Sequence, residues 1–235
     1  GLERYGYKVL IVDFDPQGDL TTSLGWKSND ALECSVSNLL DAYINDKEID
    51  YSSLILKHKE DVDVIPANIE LADMDIRLVS VINREQTLSS CIEPLRDDYD
   101  FILIDCPPSL GILTTNALCA ANSVLIPVQC EFFALEGITQ LLNSIIMVQS
   151  NMNPGLRIEG VLLTMLDGRT NIGLEVIEEI RKYFKDKVFN TIIPRLVRLV
   201  EAPSHGKPIN EYDPTSRATE AYANLAKEVV SRDGN

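Results

Sequence analysis

The sequence has 235 residues, of which 45% are hydrophobic and 24% are charged, and its formal net charge is −15. This composition is that of an ordinary globular domain and excludes a disordered or fibrous chain. Since nucleic acid and anionic membranes repel an acidic chain as a whole, binding to either would need a local basic patch. Five widely spaced cysteines and only two histidines favour reduced thiols over a zinc site or a disulfide scaffold.

Short apolar runs alternate with longer amphipathic stretches along the chain. Six runs rich in Val, Ile and Leu are predicted strands: 8–14, 62–67, 100–107, 123–129, 158–166 and 188–194. Seven further stretches are predicted helices: 36–44, 69–82, 84–97, 112–120, 134–151, 172–185 and 216–231. Such continuously apolar runs are typical of parallel strands that are buried on both faces. The alternation predicts one α/β domain over residues 1–235, with a mostly parallel sheet, helices on both faces and a surface connection at 45–63.

Three aspartates stand at the carboxyl ends of predicted strands. Asp13 and Asp15 follow the first strand in "DFDPQGDLTT", and Asp105 follows the apolar run "FILI". A single aspartate at such a position can simply cap the next helix or start a turn. In open parallel sheets, however, ligands bind beyond the carboxyl ends of the strands. Converging carboxylates repel one another, so three of them favour a metal ion or a proton-transfer task.

The stretch "FILIDCPPSLG" at 101–111 has the form of a Walker B strand, in which four apolar residues precede an aspartate. That aspartate, Asp105, would face Mg²⁺ through water, because this ion gives up its hydration shell reluctantly. The apolar run with its aspartate is a weak pattern alone. The two prolines and Gly111 that follow make it more specific, since they predict a rigid loop below a nucleotide.

Five segments carry a family resemblance: "VLIVDFDPQGDLTTSLG", "YDFILIDCPPSLGILTTNAL", "VLIPVQCEFFALEGITQLL", "GVLLTMLDGRTNIGLEVIEEI" and "IPRLVRLVEAPSHGKPINEYDPTSRATEAYANLAKEV". In this order they resemble the ParA/Soj-type chromosome- and plasmid-partitioning ATPases. These belong to the deviant Walker A branch of the P-loop NTPases, with MinD and the nitrogenase iron protein as relatives. The resemblance runs from residue 1 to about 230 and implies the corresponding α/β fold.

The resemblance implies an ATPase that uses ATP and Mg²⁺. Asp15 matches the family's catalytic aspartate, which would orient or activate the attacking water. Asp13 would support the metal and the switch network, with a plain strand-end residue as the alternative. Asp105 would be the Walker B residue, and residues 16–18 resemble a switch loop.

The family's base-binding segment matches "IPRLVRL". Pro194 and Arg195 fall where the family packs a proline and neighbouring backbone against the adenine ring. The sequence departs from the family at the next position, where Leu196 replaces the common asparagine. The lost amide would weaken base selection unless backbone groups recognise the adenine.

The family's phosphate-binding loop, K-G-G-V-G-K-T-T, and the strand before it have no counterpart in the printed sequence. We therefore expect roughly 25 residues to be absent before Gly1, and we expect the 235-residue chain alone to lack appreciable ATPase activity, since this loop supplies most phosphate contacts. Two readings follow, namely a fragment of an active ATPase or a pseudo-ATPase that serves as a binding or adaptor module. The coding sequence upstream of Gly1 distinguishes them.

The resemblance also implies an ATP-dependent homodimer that binds DNA without sequence preference. Arg169 in "LDGRTN" and Arg198 in "VRLVEAP" match the arginines that bind DNA in the Soj branch. The segment 180–208 holds seven Lys or Arg residues against two acids. Such a basic segment on an acidic chain suits salt-sensitive phosphate binding. For Lys182, Lys185 and Lys187 the simpler interpretation is a solvated helix face.

Relatives of this family suggest other functions and partners. A MinD-like membrane regulator needs a basic amphipathic C-terminal helix, whereas "ANLAKEVVSRDGN" has two basic and two acidic residues and suits packing on the domain. Iron–sulfur chemistry would need cysteines in the iron protein's pattern, which is absent. The family's partner is a ParB-like activator, for which the helix 134–151, with Phe132, Phe133 and Leu135 at its start, is a candidate surface. The family also implies a cytoplasmic, nucleoid-associated protein.

Overall fold

A computed structural model describes residues 1–27, 32–131, 134–168 and 171–233. Its strands, in chain order, are β1 (Val9–Asp13), β2 (Leu56–His58), β3 (Val62–Ile65), β4 (Phe101–Asp105), β5 (Ser123–Gln129), β6 (Arg157–Leu166) and β7 (Val188–Pro194). Its helices are α1 (Asp19–Ser23), α2 (Val36–Ile44), α3 (Tyr51–Leu54), α4 (Leu71–Arg77), α5 (Thr87–Ile92), α6 (Ile112–Ala120), α7 (Ala134–Asn151), α8 (Asn171–Phe184), α9 (Val197–Ser204), α10 (Ile209–Tyr212) and α11 (Arg217–Asp233).

The strands form two hydrogen-bonded sheets. The first has the order β2-β3-β1-β4, in which β1 pairs in parallel with β3 and β4, while β2 is antiparallel to β3. The second has the order β5-β6-β7 and is parallel throughout. Within the described ranges, no ladder joins β4 to β5, so each is an edge strand of its own sheet. The predicted α/β fold with a mostly parallel sheet is confirmed.

Both faces of β1 are covered, as its apolar run predicts, whereas β4 is only partly buried and its Leu103 is 44% exposed. Leu10 and Val12 of β1 point into a core shared with α2, α4, α5 and α6. Val9 points to the opposite face, where it joins Leu2 and Ala226 of α11. Since successive side chains of a strand alternate between faces, a continuously apolar strand is what two covered faces require.

Two helices connect the sheets across their faces. Leu113 and Ala117 of α6 pack in the core of the first sheet, whereas Leu118 packs with α7 and α8 in the core of the second. On the other face, Leu225 and Val229 of α11 pack with the second sheet, while other residues of the helix pack with the first. The prediction that the C-terminal segment packs on the domain is confirmed.

A polar clamp fixes α11 to the edge strand β7. Glu228 accepts hydrogen bonds from the backbone N–H groups of Asn190 and Thr191, at 2.7 and 3.0 Å. Arg232 donates to the carbonyl of Val188 at 2.9 Å and lies 4.0 Å from the centre of the Phe189 ring. The helix therefore satisfies an edge whose backbone groups have no neighbouring strand.

Within the described ranges, none of the helices has the length and apolarity that crossing a bilayer requires.

The predicted surface connection at 45–63 is partly wrong, because the segment contains α3, β2 and the start of β3. Strand β2 forms a hairpin with β3, and Asp61 occupies the left-handed region at its turn with φ 56°. In the described part of the chain, three other short α-helices were not predicted from the sequence pattern, namely α1, α9 and α10. Two of these, α1 and α9, contribute residues to the site described next.

Candidate functional site

Two of the predicted aspartates end neighbouring strands at the carboxyl edge of the first sheet. Asp13 ends β1, Asp105 ends β4, and the parallel register pairs the two residues directly. Adjacent strands lie roughly 4.8 Å apart. The N–H of Phe14 donates to the carbonyl of Asp105 at 2.8 Å, which extends the pairing one residue further. The structure therefore brings Asp13 and Asp105 together.

Asp13 is fully buried at this edge. The N–H and Oγ1 of Thr21 both donate to Asp13 Oδ2, at 2.8 and 2.6 Å, and the N–H of Asp15 donates to Oδ1 at 3.3 Å. Burial raises the pKa of Asp13, and the hydrogen bonds from Thr21 oppose that rise. Because the carboxylate has no accessible surface, the geometry favours an anchoring role. The assignment of Asp13 as a nucleotide or metal contact stays a prediction.

Asp15 lies in a tight turn immediately after β1. Its carbonyl accepts from the N–H of Gly18 at 2.9 Å, and its Oδ1 accepts from the N–H of Gln17 at 3.0 Å. Gly18 has φ 61°, in the left-handed region that favours glycine, and α1 starts at the next residue. The turn holds Asp15 half-buried beside the strand-end carboxylates, where a group that acts on a ligand at this edge must lie.

The carboxylates at this edge repel one another. Loss of hydration, followed by repulsion from Asp13, Asp15 and Asp19, raises the pKa of Asp105 to about 6. Asp19, the first residue of α1, was not predicted to be a site residue, although it belongs to the same acidic run as Asp13 and Asp15. Crowded carboxylates are stabilised in their charged form by a nearby cation. The set therefore fits a divalent cation electrostatically.

The same carboxylates do not form a complete metal cage. Within the described part of the chain, no group of three or more His, Cys, Asp or Glu side chains is arranged to hold a metal. Mg²⁺ keeps several waters and is typically bound by one or two carboxylates together with substrate phosphates. Accessible Asp105 and half-buried Asp15, with Asp13 behind them, therefore fit an ion that is held jointly with a nucleotide.

A cavity lies where β6 and β7 end. Of the described residues, those that line it follow these two strands: Asp167, Arg195, Leu196, Val197 and Val200. Its volume of about 380 Å³ is within the range of small-molecule sites. Of the two residues predicted to contact a base, Arg195 is in the wall, whereas Pro194 pairs with Leu166 and is not among the lining residues. The sequence pattern did not indicate the apolar wall formed by Val197 and Val200 on α9.

Arg198 lies near the start of α9 and has charged and aromatic neighbours. Its Nη1 donates to Glu201 Oε2 at 3.1 Å and to the hydroxyl of Tyr212 at 3.5 Å, and its Nε lies 3.6 Å from Asp213 Oδ2. The guanidinium carbon lies 5.8 Å from the centre of the Tyr212 ring. Although the Arg198 side chain is 58% exposed, its charge is shared with two carboxylates of the same chain.

The basic segment 180–208 does not form one patch. Lys185 and Lys187 precede β7, whereas Arg195 and Arg198 follow it. A seven-residue strand separates the pairs by roughly 20 Å along the sheet. The structure therefore divides the charge excess between opposite edges, with Arg195 and Arg198 on the carboxyl side of β7. The other predicted DNA contact, Arg169, lies outside the described residues.

Two glycines bring the segment after α1 into close contact with the segment after α9. Gly25 follows α1, Gly206 follows α9, and a Cβ atom added to Gly206 would lie 2.8 Å from the Cα of Gly25. Both occupy the left-handed region, with φ 111° and 61°. The neighbouring His205 stacks on Tyr212, with ring centres 5.0 Å apart. The segment that follows Asp15 therefore contacts the segment that carries Arg198.

The candidate partner surface on α7 is only partly described by the structure. Ile146 and Met147 of this helix are 57% and 43% exposed, while Ile145 and Val148 are buried in the core of the second sheet. Phe132, Phe133 and the side chain of Leu135 lie outside the described residues. The exposed apolar pair leaves α7 available as a contact surface but does not identify what binds there.

The chain matches an AAA domain family model over residues 1–158. It is 54% identical over 230 residues to the sporulation initiation inhibitor protein Soj of Bacillus subtilis, a match that covers 98% of this chain and 89% of that relative. It is 49% identical over 231 residues to the chromosome-partitioning ATPase Soj of Treponema pallidum, with coverage of 97% and 87%. Both matches span nearly the whole chain.

A solved structure with the same fold carries a nucleotide. Cobyrinic acid a,c-diamide synthase from Mycobacterium smegmatis, crystallised with ADP and magnesium, is 35% identical and superposes with a TM-score of 0.81. The match covers 96% of this chain and 82% of that one. Adenine nucleotide and magnesium therefore bind to a protein of this fold.

Proposed function

The chain belongs to the ParA/Soj family of partitioning ATPases, and we propose that it binds ATP with Mg²⁺ and hydrolyses it at the carboxyl edge of β1 and β4. The observation that carries this proposal is the direct pairing of Asp13 with Asp105, with Asp15 in the turn that follows. Strand-end carboxylates in this arrangement suit a magnesium-bound phosphate group. The cavity beyond β6 and β7 would take the base of the same nucleotide.

Each carboxylate would have its own task. Asp15 would orient the attacking water in line with the terminal phosphate, since positioning is most of what a protein contributes to phosphoryl transfer. Asp105 would hold Mg²⁺ through water, and Asp13 would fix the geometry of the turn. When bound, Mg²⁺ neutralises charge on the phosphate oxygens.

The chain would use the nucleotide to control DNA binding. An ATP-dependent homodimer would retain DNA without sequence preference, with Arg198 contacting phosphate and with hydrolysis stimulated by a ParB-like partner. The position of Arg198 at the carboxyl edge supports this arrangement, because α9 also lines the base cavity. The glycine contact between the segments after α1 and α9 gives nucleotide binding a physical route to Arg198.

Replacing Asp15 with alanine in the full-length gene product tests the catalytic assignment. We expect the variant to lose at least about 100-fold in turnover, because the attacking water is no longer oriented. ATP-dependent dimerisation, measured by size-exclusion chromatography with light scattering, should persist. Asp98→Ala, at an exposed residue outside the site, is the matched control. Undiminished phosphate release by the Asp15 variant would refute the assignment.

Reversing the charge of Arg198 tests the DNA interface. Arg198→Glu should abolish retention of a random-sequence duplex in the presence of ATP, while nucleotide affinity stays unchanged. Arg181→Glu makes the same charge change at an exposed residue of α8, which ends at the opposite edge of the second sheet, and should have a much smaller effect. Equal losses in both variants would mean that only overall charge matters.

A further inference from the structure

Thr21 connects three separate segments around the carboxylates. It is fully buried, and its N–H and Oγ1 both donate to Asp13 Oδ2, at 2.8 and 2.6 Å. The same Oγ1 accepts a hydrogen bond from the N–H of Ala67, the second residue after β3, at 3.1 Å. One hydroxyl thus joins α1, the end of β1 and the segment that leaves β3.

These contacts can be met only by a group that donates and accepts at one atom. The hydroxyl of Thr21 has one proton, which it gives to Asp13, and lone pairs, one of which receives the N–H of Ala67. A valine of nearly the same shape could do neither. It would leave a buried carboxylate oxygen and a buried N–H each short of a partner.

The effect of Thr21 reaches Asp15 through Asp13. Two bonds from Thr21 fix Oδ2, and the orientation of the carboxylate then sets Oδ1, which accepts from the N–H of Asp15 at 3.3 Å. This N–H belongs to the turn that places the Asp15 side chain. Rotation of the Asp13 carboxylate would therefore move the anchor of the Asp15 backbone.

We propose that Thr21 is a positioning residue for ATP hydrolysis, which acts by fixing the Asp13 carboxylate and, through it, the turn that carries Asp15. The proposal rests on the proposed function, since it presupposes that Asp15 acts on the bound nucleotide. Thr21 need not touch the nucleotide itself. Its contribution is the placement of another group, where an error of a fraction of an ångström is costly to a reaction that depends on orientation.

Three substitutions in the full-length gene product separate this role from simple stabilisation. Thr21→Val, which removes the hydroxyl, should lower kcat at least about 10-fold with KM for ATP within twofold of the parent. Thr21→Ser keeps the donor and the acceptor and should retain kcat within about threefold. Thr22→Val makes the same exchange at the next, half-buried residue and should leave kcat unchanged. If Thr21→Val does not fold, Thr21→Ala removes the same hydroxyl without added bulk.

A double-mutant cycle tests whether Thr21 acts through Asp13. If it does, Thr21→Val combined with Asp13→Asn should lower kcat no further than Asp13→Asn alone. Multiplying effects, or a Thr21→Val variant with a lower melting temperature but normal kcat per folded molecule, would overturn the proposal. Asp15→Ala is assayed in parallel. If it abolishes turnover while Thr21→Val does not, only the role of Thr21 is refuted, whereas active Asp15→Ala refutes the catalytic assignment itself.

Discussion

The carboxylates at the end of β1 and the arginine on α9 are two charged regions that the fold treats in opposite ways. Asp13, Asp15 and Asp105 are like charges that are crowded together, and backbone N–H groups and a buried hydroxyl hold the carboxylate of Asp13. Arg198 is a single exposed charge that is matched by Glu201 and Asp213. The first region keeps a repulsion that a bound cation would relieve, while the charge of the second is matched by carboxylates of the chain itself.

This difference has consequences for binding. A ligand that neutralises the carboxylates relieves a repulsion that is already present in the fold, and this relief favours its binding. A phosphate that binds Arg198 competes with the carboxylates of Glu201 and Asp213, and this competition opposes its binding. We infer that electrostatic repulsion makes the carboxylate region unfavourable when no ligand is bound. We also infer that Arg198 stays in its ion pairs until another interaction favours its release.

Of the substitutions that test the difference between the two regions, Asp105→Asn should have the largest effect. The substitution keeps the shape of the side chain and removes one charge from the carboxylate region, which should lower hydrolysis by on the order of 100-fold or more. DNA binding under ATP should change little if the two regions are separable. Phosphate release and fluorescence anisotropy on the same preparation measure both quantities. A proportional loss of both activities would show that Asp105 also controls the arginine region.

The glycine contact between the regions should give the next largest effect. In Gly206→Ala, a Cβ atom would lie 2.8 Å from Gly25 Cα at a residue with φ 61°. We expect a loss of about 1–3 kcal/mol in unfolding free energy, from backbone strain and from crowding together. Gly6→Ala is the control, since Gly6 has φ 84° but no neighbour within 4 Å of the added atom. Urea denaturation should show the larger loss for Gly206→Ala, and equal losses would mean that the contact is not tight.

The strands could be predicted from the sequence because each strand forms a run of apolar residues that is visible in it. The apolar runs at 8–14 and 188–194 correspond to β1 and β7 within two residues at each end. The short elements leave no such trace. Helix α1 has five residues and is fixed by the bond of Thr21 to Asp13, a tertiary contact that no periodic pattern records. Helix α9 contains Pro203, which a sequence pattern treats as a helix breaker.

The candidate site was predictable to the same extent as the strands that carry it. The convergence of Asp13 and Asp105 follows from their places at the ends of parallel strands, and the structure pairs them in register. The neighbours of Arg198 could not be derived in this way. Asp213 lies fifteen positions further along the chain and approaches Arg198 only because α9 and α10 fold against each other, which depends on the whole domain.

A smaller effect should appear in the pH dependence of stability. The carboxyl of Asp105 has a pKa of about 6 in the fold against an ordinary value of 3.8. Between these values the folded chain binds the proton more tightly than the unfolded chain, so the free energy of unfolding falls as pH rises through this window. Asp105→Asn lacks this charge and should be more stable than the parent at pH 7, without nucleotide.

Thermal unfolding of the 235-residue chain measures that difference. After allowance for solvent screening, we expect a gain in melting temperature on the order of 2–4 °C, the shift that about 1 kcal/mol gives in a chain of this size. The gain should disappear near pH 4, where the parent carboxyl is largely protonated. Asp98→Asn, which removes one charge at an exposed residue outside the site, is the control. A gain that is constant with pH would mean that repulsion at Asp105 is not its source.

The smallest expected effect comes from the carboxylates that restrain Arg198. Glu201→Gln and Asp213→Asn each remove one opposing charge, so Arg198 should be released to phosphate at a lower cost, and affinity for a random-sequence duplex should rise roughly two- to threefold. Glu178→Gln removes one negative charge from the exposed face of α8 and measures the effect of overall charge alone. Anisotropy under ATP at about 50 and 200 mM salt should show that the gain shrinks with screening. If Glu178→Gln gives the same gain, the ion pairs at Arg198 do not restrain DNA binding. The two regions would then differ in the arrangement of their charges but not in its effect on binding.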